Sequence, residues 1–296
     1  MRPELPFFSI IIPTYRRALQ LASCLESIAS LDYPRECFEV IVVDDGSNTP
    51  PLDVVASFHS RMNVKLLTQG HGGPAAARNT GAGLARGDFF VFTDDDCLPE
   101  RNWLRALAAH FTATPDALVG GRTLNALAEN LYSATSQAII DVVYEHFNTA
   151  GGALFFASNN FAVPAVGFHE VGGFDEKFIT SEDREFCDRW VHQGYRMTYA
   201  PEVLSYHAHP LTLGTLWQQH FGYGRGAFRF HRARHLRYGA RISPDRKFYF
   251  KLLSYPSFTE TGRRRALALT ALVCWTQLAS TAGFAWEMIT RRRLAQ

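Results

Sequence analysis

Four short apolar runs constrain the first third of this chain more than any other feature. Ser9–Ile12, Phe38–Val43, Val64–Leu67 and Phe89–Phe92 are separated by stretches of helical periodicity, as with Leu21, Leu25, Ile28 and Leu31. Pro74 opens a helix that runs through Ala85 and stops at Gly87, and a further helix is expected from Pro99 to Phe111. The run Phe38–Val43, rich in β-branched residues, suits a strand buried on both faces of a parallel sheet. This β–α alternation predicts an open α/β sheet with right-handed crossovers.

In such sheets ligands bind beyond the carboxyl ends of the strands. Three strands end in polar groups: Pro13-Thr14-Tyr15, Asp44-Asp45-Gly46-Ser47 and Asp94-Asp95-Asp96. Parallel strands would bring all three to one edge. Three adjacent carboxylates repel one another, so something must offset the repulsion. Alternate residues of an extended chain share a face, which pairs Asp94 with Asp96 and turns Asp95 elsewhere. Oxygen ligands there suit Mg²⁺ or Mn²⁺, and such a cation would in turn hold a diphosphate. Asp-x-Asp alone is a weak signal, since acid clusters are common on surfaces.

Beyond residue 113 the alternation fades. Leu127–Phe147 reads as helix, Phe161–Val163 as strand-like, and Glu182–Gln193 as a helix stopped by Gly194. Ala266–Trp286 is a charge-free stretch bracketed by Arg263–Arg265 and Arg291–Arg293. Its length meets the criterion for a membrane span. Gln277, Gly283 and several Ser and Thr make it only moderately apolar, and arginines at both ends give no orientation. A span and an interfacial or protein-packed helix fit it equally.

The net charge of +2 hides a segregation. Residues 222–296 hold fifteen Lys/Arg against three acids, and residues 1–221 fifteen against twenty-five. The basic tail suits an anionic partner, a membrane surface or a phosphorylated ligand. Nucleic acid is not expected, because no stacking motif or recognition helix is present. Five cysteines without a CxxC pair fit a reducing compartment, and the N-terminal apolar run, broken by Pro13, is no signal peptide. The expected location is cytoplasmic, including the cytoplasmic face of a membrane.

SIIIPTYRR, VIVVDDGSN, GGPAAARNTG, FFVFTDDDC, SEDREFCDRW and APEVLSYHAHP occur in an order that resembles the family-two inverting glycosyltransferases, over roughly residues 7–230. The resemblance implies a GT-A fold: a Rossmann-like, mixed, mostly parallel central sheet flanked by helices. Here that would be residues 1–230, a nucleotide-binding half to about 112 and an acceptor half from 113, followed by a basic helical extension at 231–296. It further implies a nucleotide-diphospho-sugar donor, a saccharide, lipid-linked or other hydroxyl acceptor, and Mn²⁺ or Mg²⁺ as cofactor.

Carried over by residue, Pro13 and Tyr15 would border the nucleobase. Asp45, or its neighbour Asp44, would accept a hydrogen bond from it. Arg78 would lie by the diphosphate or brace the acids, and Asp94 and Asp95 would face the donor. Asp96 and His207 would hold the metal, with His209 competing for that place. Asp183 would be the general base, Glu182 beside it. Gln218, Gln219, Tyr223 and Arg225 match a stretch that often follows the late histidine. Taken singly, these residues have plainer readings. Tyr15 could pack on the sheet edge, Asp45 could make an Asx-turn with Ser47, Asn159 and Asn160 could be turn residues, and Asp183 could serve the first turn of a helix. Two other functions compete: a sugar-nucleotide-forming nucleotidyltransferase, whose Gly-rich loop is missing from PTYRR, and a non-catalytic nucleotide-sugar or membrane-binding module.

Overall fold

The computed structural model describes residues 5–149, 152–241, 243 and 245–293. In chain order the main elements begin with β1 (Phe8–Thr14), α1 (Ala18–Ala29), β2 (Phe38–Asp44), α2 (Leu52–Ala56) and β3 (Val64–Thr68). Next come α3 (Pro74–Leu84), β4 (Phe89–Thr93), β5 (Cys97–Pro99), α4 (Trp103–Ala113) and β6 (Leu118–Asn125). They are followed by α5 (Leu131–Phe147), the two-residue strands β7 (Asn148–Thr149) and β8 (Gly152–Ala153), and β9 (Asn160–Pro164). The remainder are α6 (Ala165–Val171), α7 (Glu182–His192), β10 (Met197–His207), α8 (Leu213–Tyr238), α9 (Arg246–Thr259) and α10 (Arg263–Arg293). They form two compact units, the first Met1–Leu124, Ala150–Ile179 and Asp183–Ala208, the second Asn125–Thr149, Thr180–Glu182 and His209–Gln296.

The first unit is built on an eight-stranded sheet in the order β3-β2-β1-β4-β9-β6-β10-β5. Strands β3, β2, β1 and β4 run parallel. Strand β9 runs antiparallel to β4 and β6, as β10 does to β5. The sheet is thus the mixed, mostly parallel one expected. Its order reverses at β1, which lies between β2 and β4, and such a switch point leaves a crevice at the carboxyl edge.

Local chemistry explains the central strands. Every residue of β2 is buried, including Glu39. Ser9 Oγ donates to Glu39 at 2.9 Å and Lys65 Nζ at 3.0 Å, so the buried charge is answered. Below the sheet Phe8, Ile10 and Ile12 pack with Leu21, Leu25 and Ile28 of α1 and with Trp103 and Leu107 of α4. Gly81 lets α3 approach closely, because a Cβ there would lie 2.6 Å from Ile11 Cγ2. A Cβ at Gly87 would likewise lie 2.5 Å from the Ser9 nitrogen, whereas Gly83 has open space around it.

Three expectations need correction. The segment Cys97–Pro99 is a strand, and the helix expected from Pro99 begins at Trp103. The helix expected from Leu127 begins at Leu131, because Asn130 accepts from the Tyr132 and Ser133 N–H groups and caps it. Strands β6 and β10 occupy segments where no strand run was read.

In the second unit α8, α9, α10 and α5 pack together, with Val142, Leu252 and Val273 as an apolar centre. Backbones of α8 and α10 touch. A Cβ at Gly224 would lie 1.9 Å from the Ser280 carbonyl oxygen, and one at Gly283 would lie 2.0 Å from that of Phe221. Glu287 is buried between Arg225 (2.9 Å), Arg229 (2.7 Å) and Arg291 (2.8 Å). Burial would raise its pKa, but the three arginines bring it down to about 2.

Candidate active site

The carboxyl ends of β1, β2 and β4 meet at one edge, as the register Thr14 to Asp44 and Ile11 to Phe92 requires. The three aspartates after β4 sit there, and the chain itself supplies their counter-charge. Arg17 bridges Asp95, at 2.9 Å, and Asp96. Arg78, 3% exposed, reaches Asp94 at 2.6 Å. His207, at the end of β10, places Nε2 3.1 Å from Asp96 Oδ1, and the Ala208 N–H donates to the Asp96 carbonyl at 2.8 Å. Thr14 Oγ1 donates to Asp95 at 2.7 Å.

Their protonation follows from these partners. Burial pushes Asp95 up to about 7 despite Arg17 and Thr14. Burial would raise Asp96 too, but the hydrogen bond and charge of His207, with Arg17, hold it well below the usual carboxylate range. Burial would lower His207, and Asp96 outweighs that and raises it. Asp96, in the turn just before β5, and His207, at the end of β10, offer a carboxylate oxygen and an imidazole nitrogen that could hold a divalent cation. His209 falls in the second unit, where its carbonyl accepts from Ser133 Oγ at 2.7 Å.

Asp183 lies in the first turn of α7, whose Phe186 packs among Phe161, Phe168 and Phe174. Its carboxyl is raised in pKa, first by burial and also by the Asp94 charge. The Arg184 N–H at 2.7 Å, the Ser158 N–H and the Arg78 charge work against that rise. The Arg78 charge therefore acts on both acids, through a 2.6 Å contact with Asp94 and electrostatically on Asp183. Glu182 is buried and belongs to the second unit. Ser181, just before it, has φ 66°, so the chain enters α7 through a left-handed residue.

The residues expected around a nucleobase lie at the ends of β1 and β2. Pro13 is half-buried, and the Tyr15 ring stacks on His71 with centroids 4.4 Å apart. Asp45 accepts from Gln69 at 2.8 Å and from the N–H groups of Gly72 (2.9 Å) and Gly73 (2.8 Å), so it organises the entry to α3. The Asx-turn onto Ser47 is made by Asp44, at 3.0 Å. Asp44 Oδ1 is buried, accepts no hydrogen bond, and belongs to the lining of a cavity of about 480 Å³ with Thr14, Arg16, Arg17 and Asn48.

Asn160, Trp190 and Arg225 have structural work. Asn160 accepts from Trp103 Nε1 at 2.8 Å and donates to the Arg122 and Val203 carbonyls, tying β6, β9, β10 and α4 together. Trp190 is buried and donates to the Arg196 carbonyl. Arg225 pairs with Glu287. Arg17 is the residue that sequence reasoning passed over. Its signal was the second arginine of PTYRR, the residue directly before α1.

Comparison with known proteins adds an independent finding. The sequence model described as "Glycosyl transferase family 2" matches residues 9–170. "Glycosyltransferase AglE" of Haloferax volcanii is 30% identical over 235 residues, 76% of this chain and 74% of its own. A Methanococcus voltae dolichyl N-acetyl-alpha-D-glucosaminyl phosphate 3-beta-D-2,3-diacetamido-2,3-dideoxy-beta-D-glucuronosyltransferase is 28% identical, over 67% of this chain and 66% of its own. The fold is similar to that of the mannosyltransferase PcManGT from Pyrobaculum calidifontis, solved with GDP-Man and Mn²⁺. The TM-score is 0.63 at 21% identity, over 99% of this chain and 81% of the other.

Proposed function

Because the chain belongs to glycosyl transferase family 2 and has the GT-A fold, we propose that it transfers a sugar from a nucleotide-diphospho-sugar to an acceptor hydroxyl, inverting the anomeric centre. One observation carries the reading: Arg78, paired with Asp94 at 2.6 Å, also acts by its charge on the half-buried Asp183.

An acceptor hydroxyl is a poor nucleophile at neutral pH. Asp183 takes its proton as the oxygen attacks the anomeric carbon. A raised pKa makes Asp183 a stronger base than an exposed carboxylate, and the Arg184 and Ser158 N–H groups fix its orientation. Glu182 helps to place the acceptor. One displacement breaks the bond to the nucleoside diphosphate and inverts the centre, with no covalent enzyme intermediate. Tyr15 and Pro13 border the base, Asp45 or Asp44 reads it, and Asp94, Asp95 and Arg78 face the ribose and diphosphate. Asp96 and His207 would hold a divalent cation, which when bound offsets the charge that develops on the leaving diphosphate. The Methanococcus relative's name supports a lipid-linked or saccharide acceptor, and the GDP-Man and Mn²⁺ held by PcManGT support the donor class and the cation.

The test is Asp183→Asn. Turnover is expected to fall by about 10²–10⁴-fold. Donor affinity, measured by calorimetry with the nucleotide-sugar that most raises the melting temperature in the presence of Mn²⁺, should be retained. Undiminished turnover would remove the base assignment, and donor binding without any turnover by the parent protein would make a binding module the better reading.

A further inference from the structure

We infer that α10 lies along the surface of an anionic bilayer, within the plane of its headgroups, and does not cross it. The inference is independent of the transfer chemistry, since it needs neither donor nor acceptor.

Residues 263–291 form the one helix among the described residues that is long and apolar enough to cross a membrane, its most apolar 18-residue stretch having mean hydropathy 1.3. The distribution of its exposed side chains points to another arrangement. Leu267, Ala271, Cys274, Leu278, Ala282 and Ile289 are exposed and recur every three or four residues, with a longer step before Ile289. They make one apolar stripe along the helix. Trp275 and Trp286 are exposed as well, and tryptophan favours the water–lipid boundary. No charged residue interrupts the stripe between Arg265 and Glu287, and Glu287 is turned inward to its three arginines.

The opposite side of α10 is committed to protein. It carries the buried Val273, Thr276 and Ala279 and the two close backbone crossings with α8 at Gly224 and Gly283. Helix α8 contains Arg225, Arg229, Arg232, Arg234 and Arg237 and cannot follow its partner into hydrocarbon. A transmembrane α10 would have to leave α8 and expose Glu287. A helix lying in the interface keeps both.

Charge selects the occupant. Arg263 and Arg264 are exposed where α10 begins, and Arg246 and Lys247 where α9 begins. Helix α9 adds its own outward apolar groups, Phe250 and Phe258, 76% and 84% exposed. All three acids of residues 209–296 are engaged: Asp245 caps α9, Glu260 pairs with Arg265 at 3.2 Å, and Glu287 is buried. A second copy laid on the stripe would bring like charges together, and Asp245, the one exposed acid of this segment, is already engaged by the start of α9 and by His146. Anionic headgroups answer them directly.

The experiment uses the full chain with phosphatidylcholine vesicles, with and without phosphatidylglycerol. Co-sedimentation is expected with phosphatidylglycerol at low salt, and it should fall by about tenfold or more for Leu267→Glu with Leu278→Glu. The surface pair Arg263→Gln with Arg264→Gln, which leaves the stripe intact, should weaken it and flatten its salt dependence. Depth comes from a bimane label on Cys274, or on Leu267→Cys, Leu278→Cys or Ile289→Cys in a Cys274→Ser background, quenched by brominated lipids. One shallow depth at all four positions supports the inference. A depth that reaches the bilayer centre at 274 and 278 and returns at 267 and 289 means a span and overturns it. No vesicle binding also overturns it, whether the protein stays monomeric or self-associates through Leu278 in ultracentrifugation.

Discussion

Asp94, Asp95 and Asp96 stand next to one another at a strand end, and two of them are almost wholly buried. What makes this tolerable is Arg17, which holds Asp95 and Asp96 together, with Arg78 on Asp94. The sequence makes the repulsion plain but not its remedy, because Arg17 lies almost eighty residues upstream and only the fold brings it across. A divalent cation and Arg17 offer the same acids the same kind of charge. Replacing Arg17 by Met should therefore destabilise the protein by about 2 kcal/mol, less than a fully buried pair because Arg17 is one-third exposed. Mn²⁺ should then raise the melting temperature of Arg17→Met more than that of the parent. An equal Mn²⁺ shift in both proteins would mean that the cation and Arg17 do not serve the same carboxylates.

Elements differed in how openly they could be read. Strands β1, β2 and β4 and helix α3 carry local signals: unbroken apolar runs, and a proline at the first helical position. Strand β6 hides behind Gly120 and Gly121. Both are needed for packing, since a Cβ at Gly120 would lie 2.0 Å from the Phe156 ring and one at Gly121 2.2 Å from the Val203 carbonyl oxygen. Strand β5, three residues ending in proline, exists because β10 pairs with it from a hundred residues away. The glycines of the GYGRG stretch at 222–226 serve packing. Gly224 meets α10, and Gly226 meets the Thr180–Ser181 turn, where a Cβ would lie 2.4 Å from Ser181 Oγ. Gly224→Ala should force α8 from α10 and cost about 1–3 kcal/mol, since the clash is with backbone that cannot rotate away. Chemical denaturation would measure it. Gly214→Ala, near the start of the same helix with open space around it, should stabilise or be neutral. If both substitutions behave alike, the crossing at Gly224 is not tight.

At the scale of the whole molecule the two units carry histidines whose protonation works in opposite directions. In the first unit His207 is raised by Asp96, so its contribution to stability is present at low pH and is lost as pH rises through the raised value. In the second unit His220 is 4% exposed, its Nε2 has no hydrogen-bond partner, and burial lowers its pKa from 6.5 to about 4. Above pH 6.5 neither folded nor unfolded His220 binds a proton. Between 6.5 and 4 the unfolded chain takes one and the folded chain does not, so stability falls with pH by about 2 kcal/mol at pH 5. Glu287, at about 2, contributes a loss only below the ordinary glutamate range, so within the second unit the lowered His220 outweighs it from pH 7 to 5. Hydrogen exchange of α8 peptides, corrected for intrinsic rates, should show that loss of protection in the parent. His220→Met, similar in size and without a proton to gain, should keep its protection across the same interval. Equal losses in the two proteins would mean that His220 is already solvated in the folded state. The acid sensitivity of the basic helical unit would then have to come from its surplus of positive charge instead.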